Sequence, residues 1–282
     1  MARRNHRNDD SGLALLIIFL LGAIGTVLSA LGDFINNYGI YILIFLIIVV
    51  IYYVVKTILA MIKKNKIIQL YKKTPYYLEN KIAYKTIPVN RGITFEIEIY
   101  NRLKYEFKEN VQIIHGILIP KVNAINEYAE IDLIVIHTSG IYVVEAKNFS
   151  GPVSGKDDEK YWRPYLEVRN ENDELFFEQN FAIKGFSEFG LYNPIWQNES
   201  HIQSLNSLFQ NYYSNIVIFS NTMLLGHSRH PKIHSLNDFV DLIKLNNSQK
   251  YLTQELIALK KKILSLRVTD PKAIKLHLAR FN

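Results

Sequence analysis

AEIDLIVIHTSGIYVVEAKN, residues Ala129 to Asn148, is the stretch that decides how this chain is read. Two apolar runs, Ile131–Ile136 and Ile141–Lys147, flank His137-Thr138-Ser139-Gly140, a tight-turn composition. A turn centred on Thr138 and Ser139 sets Asp132 directly opposite Glu145, with Cβ atoms roughly 4.5–5.5 Å apart. Lys147 lies two residues beyond Glu145 and shares its face. Like charges facing each other destabilise a sheet. Ile131, Leu133 and Val135 on one side and Ile134 and Ile136 on the other leave both faces apolar, so the carboxylates are expected to be partly buried. A divalent cation resolves that conflict, because Mg²⁺ takes one or two carboxylates and keeps several waters. Lys147 would then stabilise charge on a phosphoryl group or position an attacking water. Two alternatives stay open. Glu145 and Lys147 could face solvent at a strand end, or Gly140 could sit in a bulge that shifts the register by one and parts the two acids.

Moving upstream, Ile93, Glu96/Ile97, Tyr100, Leu103 and Phe107 recur at spacings of three and four, which predicts a helix from Arg91 to Glu109 with Glu96 on its apolar stripe. A carboxylate there needs a partner, so Glu96 is a candidate third acid. Val111–Ile119 and the weaker Tyr161–Val168 read as further strands. Downstream, Asn193-Pro194 reads as an N-cap followed by proline at the first helical position, opening a helix to about Gln210 that carries Gln197. A short buried strand follows at Ile216–Ser220. Closing helices are expected at about Asn237–Leu245, Gln249–Leu266 and Pro271–Ala279. The order predicts a mixed α/β (α+β) domain with a central sheet covered by helices.

At this point the chain resembles a known family. Gly92-x-x-Phe95-Glu96, Glu130-Ile131-Asp132, Gly140-Ile141-Tyr142-Val143-Val144-Glu145-Ala146-Lys147-Asn148, Gly151, Gly155, Trp162 and Asn193-Pro194-x-x-Gln197 look like the nuclease-related domain (NERD), over about Arg91 to Ser220. NERD resembles the PD-(D/E)XK nuclease superfamily. The resemblance implies a restriction-endonuclease-like αβββαβ core with a central mixed sheet and Mg²⁺-dependent (or Mn²⁺-dependent) phosphodiester cleavage. It implies Asp132 and Glu145 as metal ligands with Glu96 as the helix acid, Lys147 as the catalytic lysine, and Gln197 as the polar residue of the second core helix. The implied partner is nucleic acid, DNA ahead of RNA. Phe95 departs from the pattern, since many members have a small residue before the glutamate. The alternative is a catalytically inactive module that binds nucleic acid or protein beside a membrane.

The membrane enters through the N-terminus. Leu13–Leu31 and Tyr38–Val55 carry no charge, and the second run stays apolar past Lys56 to Ile62. A bilayer core needs about 20 apolar helical residues. The expectation is a two-helix transmembrane hairpin, with spans over 13–31 and 38–62 and a turn at Gly32–Asn37. Arg3, Arg4 and Arg7 precede it and Lys63, Lys64, Lys66, Lys72 and Lys73 follow it. Basic flanks stay inside, so a cytoplasmic N-terminal tail over 1–12 and a cytoplasmic main domain are expected. A cleaved signal peptide is the rival reading of the first run. Residues 63–90 read as a juxtamembrane linker, 91–220 as the nuclease-like core and 221–282 as a basic helical extension.

The composition agrees. Of 282 residues, 49% are hydrophobic, which excludes disorder, and the net charge is +7. Residues 1–75 hold nine Lys/Arg against three Asp/Glu, so much of the basic excess belongs to the membrane segment. Residues 244–282 hold nine against two, a wall suited to phosphate or anionic lipid. The absence of cysteine excludes disulfides and thiolate metal sites. His227, His230 and His234 cluster, but Pro231 keeps them off one helical face. There is no Walker loop and no Gly-x-Ser-x-Gly elbow. Nothing in the sequence sets an oligomeric state.

Overall fold

The computed structural model describes residues 9–87, 91–122, 124, 127–149, 152–169, 175–179, 190–220, 224–225 and 231–279. Gly151, His227 and His230, named above, lie outside the described residues, as do Arg3, Arg4 and Arg7. The chain divides into two units, Met1–Leu70 and Tyr71–Asn282.

The first unit is one helix, α1 (Asp9–Tyr71). The expected pair of helices with a turn at Gly32–Asn37 is not found; the helix runs through. The reason is local. That segment has no proline, and one interior glycine costs only about 1 kcal/mol against alanine. Over Ile18–Leu70 no described residue is buried. This helix is long and apolar enough to cross a membrane.

The second unit begins with α2 (Pro75–Asn80), capped by Thr74. It continues with α3 (Arg91–Phe107), β1 (Val111–Pro120), β2 (Tyr128–His137) and β3 (Gly140–Lys147). After β4 (Val153–Ser154), β5 (Tyr161–Arg169), β6 (Leu175–Gln179) and β7 (Leu191–Tyr192) come α4 (Pro194–Leu208) and β8 (Tyr213–Phe219). β9 (Leu224–Leu225), β10 (Ile233–His234), α5 (Leu236–Leu245), α6 (Thr253–Leu264) and α7 (Pro271–Leu278) complete it. The main sheet has the order β1-β2-β3-β8-β10. Its first three strands are antiparallel, and β8 joins β3 in parallel. This is the expected mixed sheet, in the order helix, three strands, helix, strand.

Leu133 pairs with Val144 and His137 with Gly140, so the turn is centred on Thr138 and Ser139 and the one-residue shift does not occur. Neither turn residue adopts positive φ. The turn is held instead by the Ser139 N–H donating to His137 Nδ1 at 3.1 Å.

One expectation about the faces is corrected. Leu133 and Val135 pack with α3 residues Ile99 and Leu103 in one core. Ile131 packs with Ile134 and Ile136 in the other, with Leu205 of α4 and Leu256 of α6. The alternation breaks because Gly116 of β1 is left-handed, at φ +55°. Side chains alternate faces only while the backbone stays extended. Past Gly116, Ile117 and Ile119 join the core of Ile114. Their partners on β2 reverse with them, and the reversal falls at Asp132, between the pairs His115↔Leu133 and Ile117↔Ile131.

The linker expected over 63–90 is also shorter than read. Tyr71 and Tyr76 are buried in the core with Phe95, Tyr100 and Phe239. Phe95, the departure from the family pattern, is 4% exposed and packs in the same core.

Candidate active site

Four elements bring the expected residues together. β3 carries Glu145 and Lys147, whose neighbours Val144 and Ala146 point into the α3 core, so both charged side chains face α4. Lys147 Nζ donates to Glu145 Oε1 at 2.5 Å and to Gln197 Oε1 at 3.1 Å. Gln197 thus holds the lysine ammonium from the α4 side. Asp132, at the strand reversal, accepts from the Ala146 N–H through Oδ2 at 2.8 Å. The register predicted this neighbourhood, but the β2–β3 ladder ends at Leu133↔Val144, and a side chain replaces the next backbone rung.

Helix α4 is placed by two asparagines. Asn193 is fully buried and caps the helix, its Oδ1 accepting from Ile195 N–H at 2.9 Å. Its Nδ2 donates back to the carbonyls of Glu159 and Asp157 at 2.9 and 3.1 Å. Asn198 Nδ2 donates to Val143 O at 2.8 Å and Ile216 O at 3.1 Å, tying the helix to β3 and β8. Gln197 therefore has little freedom. Gly155 and Trp162 support the same corner: a Cβ on Gly155 would fall 2.1 Å from the indole Cγ. Trp162 packs against Ile195 at the start of α4.

The electrostatics are unbalanced. Burial, with Glu145 and Glu96 nearby, pushes the Asp132 carboxyl well above its ordinary range, against the pull of Lys147 and the Ala146 N–H. Burial alone would pull the Lys147 ammonium down, but Glu145 and Asp132 outweigh it and hold it up. Glu145 is 1% exposed, and its Oε2 is buried with no hydrogen-bond partner. The nearest candidate is His201 Nδ1 at 3.5 Å, which is equally unpartnered. Burial pulls the His201 imidazole down, with Glu145 opposing. A buried carboxylate oxygen without a partner costs several kcal/mol or implies a ligand. The oxygen set suits a hard divalent cation that keeps its waters. Among the described residues no three His, Cys, Asp or Glu side chains gather closely enough to hold an ion unaided.

Glu96 is placed differently from the expectation. Its Oε2 lies 2.8 Å from His115 Nε2, and His115 Nδ1 lies 3.0 Å from the Tyr76 hydroxyl. Glu96 acts on Asp132 and Lys147 through its charge, while its hydrogen bond belongs to His115. Sequence reasoning missed His115, Tyr76 and His201. His201 had a signal, four residues after Gln197 on one helical face; His115, an isolated histidine inside an apolar strand, had almost none.

Beside Asp132 opens a cavity of about 340 Å³, lined also by Gln197, His201, Lys121, Tyr128 and His277. His277, from α7, lies 3.1 Å from Glu130. His234 is 3.1 Å from the Pro231 carbonyl oxygen, on β10.

No curated protein and no solved structure matches the chain. The family model described as nuclease-related domain matches residues 91–224, from the first residue of α3 to the first of β9. That stretch holds Glu96, Asp132, Glu145, Lys147 and Gln197 together, and this part of the chain is a nuclease-related domain.

Proposed function

We propose that the protein is a membrane-anchored nuclease that cleaves phosphodiester bonds in nucleic acid, DNA ahead of RNA, with Mg²⁺ or Mn²⁺ held by Asp132 and Glu145. The observation that carries this reading is the unpartnered, buried Glu145 Oε2 next to a second carboxylate and a lysine. The cation, when bound, lowers the pKa of water and offsets phosphoryl charge. The protein's own part is to keep Lys147 charged and aimed. Glu145 and Gln197 fix the ammonium where negative charge develops on the phosphate oxygens. Glu96, with its Oε2 engaged by His115, contributes negative charge beside Asp132 and Lys147 rather than a direct ligand atom. His201, with its charged form disfavoured by burial, can hydrogen-bond a ligand without adding positive charge.

The test is cleavage of single- and double-stranded DNA by the full chain in lipid nanodiscs. Activity is expected with Mg²⁺ or Mn²⁺, abolished by chelation, and reduced at least about a hundredfold in Lys147→Met. Binding without turnover across divalent metals would leave a non-catalytic module instead.

The anchor belongs to the same proposal. At 1.5 Å per residue, the 54-residue apolar helix is about 80 Å long, against about 30 Å of hydrocarbon. We propose that in a bilayer this helix, continuous in the structure, folds back near Gly32–Asn37 so that the chain crosses twice, with the nuclease-related domain in the cytoplasm. The chain has no cysteine, so Asn36→Cys gives a single reporter. Labelling of intact cells by an impermeant maleimide is expected; labelling only after lysis would remove the two-pass arrangement.

A further inference from the structure

The cavity beside Asp132 bears on what kind of nucleic acid is cut. Asp132, Gln197 and His201 line it, and Glu145 and Lys147 are recessed behind His201 and Gln197. The side chains of Glu145 and Lys147 are 2% and 15% exposed. The cavity, at about 340 Å³, is at the small end of ligand pockets, which run from roughly 300 to 1,000 Å³. That is room for about one nucleotide within the cavity itself.

Its walls have the chemistry of single-strand recognition. Tyr128 and Tyr192 present aromatic rings, and base–aromatic stacking is the sequence-tolerant contact by which proteins hold unpaired bases. Tyr192 is 39% exposed, and its ring is set edge-on against Tyr161, with centroids 6.1 Å apart. Lys121 is the lysine of this lining, which also holds the acids Glu130 and Asp132; its ammonium is 3.3 Å from Glu127 in a half-exposed pair that a phosphate can replace. A single lysine suits one or two phosphates, whereas a duplex footprint is neutralised by many cations spread along the backbone. His277 closes one side. It is 5% exposed and is held to Glu130 at 3.1 Å. It comes from α7, well past residue 224 where the nuclease-related domain match ends, so this wall is an addition to the core rather than part of it.

We infer that this cavity receives one unstacked nucleotide, between Tyr128 and Tyr192 and beside Lys121 and His277, and that the substrate is single-stranded nucleic acid. The inference rests on the nuclease reading for its catalytic consequence, but binding tests it separately.

The experiment uses the full chain in nanodiscs and a fluorescein-labelled 30-nucleotide DNA strand, free or annealed as a blunt duplex. Anisotropy is measured with Ca²⁺ in place of Mg²⁺, and cleavage with Mg²⁺ or Mn²⁺. The free strand is expected to bind at least about tenfold more tightly than the duplex. Tyr128→Ala is expected to weaken strand binding about tenfold, with Tyr128→Phe restoring it, because stacking needs the ring and not the hydroxyl. His277→Ala is expected to narrow the gap between strand and duplex by opening the wall. Equal affinity for strand and duplex, or Tyr128→Ala binding like wild type, overturns the inference. Strand-selective binding without cleavage in either Mg²⁺ or Mn²⁺ upholds it and removes the nuclease reading. Cleavage of the duplex at the rate of the free strand leaves the nuclease reading intact and removes only this inference.

Discussion

The two faces of the central sheet each hold a glutamate beside a histidine, and the two couples differ in how they are satisfied. On the α3 face, Glu96 and His115 lie 2.8 Å apart, and the second ring nitrogen is taken by Tyr76 at 3.0 Å. On the α4 face, Glu145 and His201 lie 3.5 Å apart, with Glu145 Oε2 and His201 Nδ1 both unpartnered. Both couples are sheltered: the first side chains are each 13% exposed, the second 2% and 10%. Burial therefore does not separate them; completion does. A closed hydrogen-bond chain contributes to stability, whereas an open one in the same dielectric costs it unless a ligand arrives. The open couple stands next to the Asp132 cavity, where a substrate can complete it.

Neutralising each acid in turn should break the symmetry most clearly. Glu145→Gln is expected to reduce cleavage at least about a hundredfold. Its melting temperature should stay close to wild type, because relief of the repulsion with Asp132 offsets the weakened pair with Lys147. Glu96→Gln is expected to lower the melting temperature, as a hydrogen bond from a charged group is worth about 1.5–3 kcal/mol. A Glu145→Gln protein that still cleaves, or one that melts far lower than wild type, would make the two couples equivalent.

A third imidazole sharpens the contrast because it has no acid. Burial pushes His137 down to about 4. It sits at the hairpin turn, against Phe107, with Nδ1 accepting from Ser139 N–H. In the unfolded chain a histidine titrates near 6.5, so the unfolded state takes up the proton first as pH falls. The stability from keeping this ring neutral is complete above about pH 6.5 and is lost progressively down to about pH 4. The loss is expected to be about 2 kcal/mol, below the full value of the shift because solvent reaches part of the ring. The difference between wild type and His137→Gln in denaturant unfolding at pH 7.5 and pH 4.5 measures it. Parallel curves would show that the ring does not titrate in this window.

The smallest effect belongs to the outer end of the closed couple. Tyr76→Phe removes the hydroxyl 3.0 Å from His115 and should cost about 1 kcal/mol, read in thermal unfolding. Cleavage should fall no more than a few-fold, because Glu96 keeps its bond to His115. A hundredfold loss would mean that this couple, too, belongs to the chemistry.

Much of the second unit was legible because its signals are local. The helix expected from Arg91 to Glu109 is α3, the strand expected at Val111–Ile119 is β1, and Asn193 caps α4 as its proline neighbour suggested. The hairpin register followed from turn composition and brought Asp132 and Glu145 into one neighbourhood. The reversal at Gly116 was not read, although an isolated glycine in an apolar strand marks such sites. Nor was the packing of Tyr71 and Tyr76 beneath the sheet, because aromatic residues next to a lysine-rich stretch give no period.

The amino-acid sequence alone determined the longer strands of the central sheet, the register of the β2–β3 hairpin and the apolar character of the N-terminal segment, since these follow from turn chemistry, side-chain period and hydropathy within a few residues of each position. Only the tertiary structure decided which acid is satisfied and which is left open. That depends on which histidine, from a distant part of the chain, comes to rest beside each carboxylate, and on whether its distance closes a hydrogen bond or leaves room for a ligand.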